Sequence, residues 1–249
     1  DKIVALAKKK NLLLRVNNQY RYMSYYAETK RRIDAGEFGR PFYIQAWQQM
    51  FHPPGKETNW RSGLKQYVLF EFGTHALDLA CFLFDALPTS INAFAPKARP
   101  EFDADVLVQA TLRFPDERLG TFSFNRVSHA PEKYLEMRID CEKASLRISL
   151  GGVARFSIDW AKNSKRFYFK HGFVRGGQAR AEINGVPKTY CNSGAPEFAS
   201  ATAEHLRLFV KEMALTERPI EAARHAREVL NLVFAGYQSA NSGETVRLK

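Results

Sequence analysis

Apolar residues recur along this chain with different periods, and each period marks a different kind of structure. Across positions 1–10, Ile3, Val4, Leu6 and Ala7 fall at helical spacing, and Asn11 ends the run. Leu12 to Val16 is then a short apolar block of the kind that a buried parallel strand shows. A helix feeding such a strand, with no start signal before it, reads as the tail of an α/β unit whose other strands lie upstream. A second helix is predicted from Ser24 to Ala35, stopped by Gly36 and the turn Glu37 to Pro41, and a strand from Phe42 to Met50. The polar loop His52 to Lys65 leads to a third helix, which Gly73-Thr74 opens and which ends near Asp85.

Beyond it the period falls to two. Val106, Val108, Ala110, Leu112 and Phe114 alternate with polar positions, and Pro115 to Arg118 turns into a partner strand carrying Phe122 and Phe124. Leu135, Met137 and Ile139, then Leu146, Ile148 and Leu150, repeat the pattern, with further strands at 155–158 and 166–170. Hairpin-linked neighbours of this kind predict an antiparallel sheet with one apolar face. The stretch Gly172 to Gly194 reads as a long loop or a hairpin. Two helices close the chain: Leu206, Phe209, Val210 and Met213 form the stripe of the first, and Ala226, Val229, Leu230, Val233, Tyr237 and Ala240 that of the second.

Composition narrows the class. With 249 residues, 45% hydrophobic and 25% charged, the chain can bury a sizeable core as one large or two small domains. Cys81, Cys141 and Cys191 are odd in number and widely spaced, which argues for a reducing compartment and against a zinc or disulfide framework. No apolar run approaches the roughly 20 residues of a membrane span, so the expectation is a cytoplasmic protein with no membrane partner. The net charge of +11 raises the question of an anionic partner, but its lysines and arginines are spread along the chain, with short clusters at 8–10 and 30–32 on predicted helices. That distribution fits solvated faces better than a nucleic-acid stripe.

The densest chemistry lies in Phe70-Glu71-Phe72-Gly73-Thr74-His75-Ala76-Leu77-Asp78. Residues three and four apart share a helix face, so Glu71, His75 and Asp78 converge. An imidazole beside carboxylates can accept a proton near neutral pH; a capping carboxylate beside a buried, hydrogen-bonded histidine has the same spacing. Trp60-Arg61 reads either as a pair that holds a polar ligand or as a packed Trp beside a surface Arg. His205 and His225 fall on the closing helices as packing or surface residues, and nothing acidic or thiolate is spaced to make them metal ligands. His52, His129 and His171 receive no role, and no glycine-rich dinucleotide fingerprint occurs anywhere.

Four stretches in order are familiar: Asn17 to Tyr22, Gly36-Glu37-Phe38-Gly39-Arg40-Pro41, Glu71 to Asp78, and Ala235-Gly236-Tyr237-Gln238-Ser239-Ala240-Asn241-Ser242-Gly243-Glu244-Thr245-Val246. In this the chain resembles the inositol dehydrogenase and glucose-fructose oxidoreductase (Gfo/Idh/MocA) superfamily of NAD(P)-dependent sugar and polyol oxidoreductases. The resemblance implies an α+β fold: a large open, mostly antiparallel sheet with helices packed on one face, plus the last helix and strand of a truncated Rossmann domain. Residues 1–18 would be the remnant of that upstream dinucleotide-binding domain, and 19–249 the C-terminal substrate-binding and oligomerisation domain, a homo-oligomer contact being expected on the open sheet face.

In the family an Asp and a His four residues apart, joined by a Lys from the Rossmann half, surround the reacting carbinol. Carried over, His75 would take the hydroxyl proton while hydride leaves for NAD or NADP, and Glu71 would orient the His or the small-molecule substrate. Arg21, Tyr22, Trp60, Arg61 and Lys65 would line the pocket. Three departures matter. Glu replaces Asp at 71, Lys65-Gln66-Tyr67 replaces three glycines, and the Glu-Lys-Pro element with its dinucleotide fold is missing, so this polypeptide by itself is expected to be inactive. The first two departures motivate an alternative: a non-catalytic ligand-sensing or assembly module of the same fold.

Overall fold

The computed structural model describes residues 1–53, 55, 60–129, 133–150, 153–161, 166–174, 176–193 and 197–248. Helices α1 (Lys2–Lys9) and α2 (Ser24–Asp34) precede β1 (Pro41–Gln49). A π-helical turn, Leu69–Gly73, runs directly into α3 (Thr74–Phe84). Strands follow: β2 (Ser90–Phe94), β3 (Leu107–Arg113), β4 (Leu119–Asn125), β5 (Lys133–Cys141), β6 (Ser145–Leu150), β7 (Val153–Ala161), β8 (Arg166–Val174), β9 (Gly177–Ile183) and β10 (Val186–Ser193). Helices α4 (Phe198–Met213) and α5 (Glu221–Ser242) and the short β11 (Val246–Arg247) close the chain.

Nine strands form one sheet in the order β10-β9-β6-β5-β1-β4-β3-β2-β11. Neighbours are antiparallel except β1 and β4, which run parallel in the centre. The alternation read from the sequence is realised: Val108, Ala110 and Leu112, Phe122 and Phe124, Met137 and Ile139, and Leu146 and Ile148 all face one buried side. Tyr25 and Tyr26 of α2, Leu77 of α3 and Val229 and Val233 of α5 complete that core. The opposite side presents Gln45, Trp47, Gln49, Gln109, Thr121 and Ser123 around a shallow depression. The fold is α+β, as expected. Strands β7 and β8 pair with each other as a separate two-stranded ribbon, and the stretch 172–194 proves to be the end of β8 and the β9–β10 hairpin, with 175 and 194 outside the described residues.

Three local expectations need correction. Leu12 to Val16 is extended but joins no ladder; a strand needs a neighbour to satisfy its backbone groups, and this segment instead runs along α4. Asn11 Nδ2 donates to the Thr216 carbonyl, Asn17 Nδ2 to Thr202 Oγ1, and Arg15 pairs with Glu212 at 2.5 Å, while Leu12 and Val16 stay exposed. The apolar stripe of α4 is likewise outside: Leu206, Val210 and Met213 are exposed, and the helix buries Ala201 and His205. Third, α3 does begin at Thr74 with Gly73 before it, but a π turn over Leu69–Gly73, not foreseen, is already wound ahead of it. Among the described residues no helix is long and apolar enough to cross a membrane.

Candidate active site

Helix α3 is built almost wholly from buried apolar residues, Ala76, Leu77, Leu79, Ala80, Cys81, Leu83 and Phe84 among them. Its polar side chains are therefore conspicuous. Glu71, His75 and Asp78 recur at helical spacing and form one stripe, which Phe82 continues.

At the upper end, Glu71 Oε1 lies 3.0 Å from Arg61 Nε, and the Arg61 guanidinium sits 4.6 Å from the centre of the Trp60 ring. Trp60 itself is 60% exposed, so the pair forms a rim and not a packed corner. His75, half-buried, stacks face to face on Tyr20, with ring centres 4.2 Å apart and planes within 6°. Tyr20 is backed edge-on by Phe198 at 5.7 Å. Burial pulls the His75 pKa below its ordinary 6.5, against the opposing fields of Asp78 and Glu71. Burial thus favours the neutral ring. Its Nδ1 is sealed from solvent and finds no hydrogen-bond partner among the described residues, which leaves Nε2 as the open nitrogen.

One turn further on the stripe, Asp78 is 1% exposed and fully engaged. Arg21 grips it with Nε at 3.0 Å and Nη2 at 2.6 Å, Asn18 Nδ2 donates at 2.8 Å, and His225 Nε2 lies 2.9 Å away. The same His225 nitrogen is 2.7 Å from Arg21 Nη2. Arg21 also lies over the Phe82 ring at 5.0 Å.

Of the residues singled out from sequence, the structure gathers Glu71, His75, Arg61 and Trp60. It commits Arg21 to Asp78. Tyr22 is turned elsewhere: its hydroxyl accepts from Arg15 at 2.8 Å and its ring lies against His205. Lys65 is exposed, on a separate depression lined by Ser62, Gly63, Glu101 and Asp103. Sequence reasoning missed Tyr20, Asn18 and His225. Asn18 and Tyr20 were within reach, in the same short segment as Arg21; His225 meets Asp78 across 147 positions and gives no local signal. Among the described residues no three His, Cys, Asp or Glu side chains converge as metal ligands would.

A large open sheet covered on one face by helices, with an acid-histidine stripe on the central one, defines the class as an α+β domain. Residues 26–147, just under half of the chain, match the family model described as "GFO/IDH/MocA C-terminal domain". The chain is 32% identical over 85 residues to scyllo-inositol 2-dehydrogenase (NAD(+)) of Bacillus subtilis (strain 168), a match that spans 34% of this chain and 24% of that protein. Among solved structures, aldose-aldose oxidoreductase from Caulobacter crescentus, complexed with glycerol, superposes with a TM-score of 0.72 at 18% identity, covering 99% of this chain and 67% of that one. An oxidoreductase from Agrobacterium radiobacter in complex with NAD+, L-tartaric acid and magnesium gives 0.75 at 15% identity, covering 99% and 68%. At such identities these structures establish the fold.

Proposed function

We propose that this chain is the substrate-binding part of an NAD(P)-dependent oxidoreductase that acts on a hydroxyl group of a sugar, polyol or related compound. The observation that carries the reading is His75: an imidazole whose burial favours the neutral ring and whose open nitrogen is Nε2, beside a carboxylate held in place by Arg61. The relatives add support, since those compared include an inositol dehydrogenase, an aldose-aldose oxidoreductase and an oxidoreductase with bound NAD+.

In this reading His75 Nε2 takes the proton of the substrate hydroxyl. Glu71 offsets the positive charge that then develops on the ring, and the Tyr20 stack fixes the ring plane. The bound nicotinamide supplies the hydride acceptor. The residues present fit the substrate side of such a site, because an imidazole whose Nε2 is its open nitrogen, beside a carboxylate, is what accepting a carbinol proton requires. They offer no glycine-rich phosphate cradle, so the dinucleotide would be held by a Rossmann domain to which residues 1–18 belong. A surface suited to that domain exists: Ile3, Leu6, Leu12 and Val16 are exposed on the opening segment, and Leu206, Val210, Met213 and Leu215 on and just beyond the helix beside it. The subunit contact falls on the open sheet face around Trp47.

The test uses the full-length protein with NAD+ and NADP+ and a panel of inositols, aldoses and sugar acids, following reduced nicotinamide. Turnover is expected with one of them, and His75→Ala should lower kcat by about 10²- to 10⁴-fold, the usual worth of a general base, with cofactor affinity unchanged. Tight cofactor binding without turnover on any substrate would instead establish the non-catalytic module, which the Arg61–Glu71 pair favours by neutralising the carboxylate.

A further inference from the structure

The first turns of the helix that carries Glu71 and His75 are held by residues remote in sequence. A helix start leaves several N–H groups without partners. Here the Tyr67 and Val68 N–H groups donate to the Asp105 carboxylate at 2.5 and 3.1 Å, and the Leu69 N–H donates to the Tyr237 hydroxyl at 3.0 Å. That hydroxyl in turn donates to Asp105 Oδ2 at 3.0 Å. Asp105 lies just before β3 and Tyr237 on α5, so one small network ties the helix start to the sheet and to the last helix.

Side-chain shape keys the same turn. The Leu69 δ carbons occupy the space a Cβ would need at two glycines at once: a Cβ at Gly73 or at Gly236 would lie 2.5 Å from them. Gly73 is the last residue of the π turn and Gly236 precedes Tyr237, so the wedge and the hydrogen bonds act at one place. A π turn holds one residue more than an α turn and is found mostly as an isolated irregularity. Rewinding Leu69–Gly73 to α geometry would shift the preceding residues by one position, about 100° around the axis. Glu71 lies inside the turn and His75 beyond it. Their relative placement therefore depends on which winding is adopted.

We propose that Tyr237 and Asp105 are positioning residues that select the π winding and so set the Glu71 carboxylate relative to His75; the catalytic consequence rests on the oxidoreductase reading of that pair. The same assignment gives Gly236-Tyr237 a physical role, one glycine to admit Leu69 and one hydroxyl to cap it.

Two measurements on the full-length protein test this. In Tyr237→Phe, which keeps the ring and loses only the hydroxyl, amide exchange in the peptide covering 67–73 should speed up by about tenfold through loss of the hydrogen bonds at the turn, with peptides of β3 and β4 unchanged. Its kcat should fall by about 10- to 100-fold, the cost of an ångström-scale misplacement, and the acid limb of its pH profile should move to lower pH as the carboxylate leaves His75. Gly236→Ala should lower kcat likewise, and adding Leu69→Ala to it should restore part of the loss, since the wedge and the new methyl group compete for one space. Unchanged exchange at 67–73 overturns the proposal. So does a Tyr237→Phe enzyme with the wild-type kcat and pH profile while His75→Ala is inactive. If the wild type turns over nothing, or His75→Ala is fully active, the oxidoreductase reading fails by itself and the exchange result alone decides whether the network sets the winding.

Discussion

Two acid-histidine pairings lie one turn apart on the same helix face, and they are built to opposite ends. Asp78 is closed off from water and takes Arg21 twice, Asn18 once and His225 once, so the carboxylate is saturated. One turn earlier His75 has a sealed Nδ1 that finds no partner among the described residues, and Glu71 pairs with Arg61 at the exposed rim. A satisfied buried network fixes structure. A buried polar atom left without a partner costs stability and needs a reason outside packing. The same residue types thus form a saturated network in one place and an unsaturated pair in the other, and only the partner inventory tells them apart; on the oxidoreductase reading proposed above, the second is the working pair.

The largest expected effect breaks the saturated network. Asp78→Ala strands the Arg21 guanidinium, whose side chain is 20% exposed, against Phe82 and His225. Removing one member of a buried pair costs about 3–5 kcal/mol, and denaturant unfolding of the variant should show a loss of that order. His75→Phe is the contrasting case. It keeps the stack on Tyr20 and removes the orphaned nitrogen, so stability should stay within about 1 kcal/mol of wild type or rise, while turnover is lost. Equal destabilisation of both variants would erase the distinction between the two pairings.

How much of this was legible from sequence follows from the range of the interactions involved. The alternation of Val106 to Phe114 and of Leu135 to Ile139 gave the sheet and its buried face, because period two is a local signal. Glu71, His75 and Asp78 were legible as a stripe for the same reason. What escaped was partner choice: Arg21 was expected in the pocket and is taken by Asp78, and His225 gave no sign because its contact is set by how α5 crosses α3. The π turn escaped too, since Leu69 packs there against Gly236, a residue that only the fold brings near. The stripe of α4 misled because apolar periodicity predicts an apolar face without saying what covers it.

Acid titration gives an intermediate effect and sharpens the comparison. The His75 pKa in the folded chain lies below the ordinary 6.5, so between those two values the folded state binds fewer protons than the unfolded one. Stability therefore rises with pH through that window and is complete above it. His205, lowered by burial and by the nearby Arg15, adds a contribution of the same sign. Each histidine can contribute a slope of at most about 1.4 kcal/mol per pH unit. His75→Phe should retain only the His205 part. A wild-type stability that does not rise with pH just below the ordinary histidine pKa would mean that His75 is not held neutral by its surroundings.

The smallest expected effect lies at the rim, where stability and chemistry should separate. Arg61 is 36% exposed and its pair with Glu71 is half in water, so Arg61→Gln should change the unfolding free energy by no more than about 1 kcal/mol. The field at His75 changes more than that suggests. With the guanidinium gone, the Glu71 carboxylate acts on the ring without a neutralising neighbour, and its pull favours the imidazolium. The His75 pKa then rises, and the acid limb of the kcat/KM profile moves to higher pH, opposite in direction to the shift expected for Tyr237→Phe. Because the two variants act on one carboxylate, by unmasking it in one case and displacing it in the other, shifts of the same sign would show that Glu71 is not the group that tunes His75.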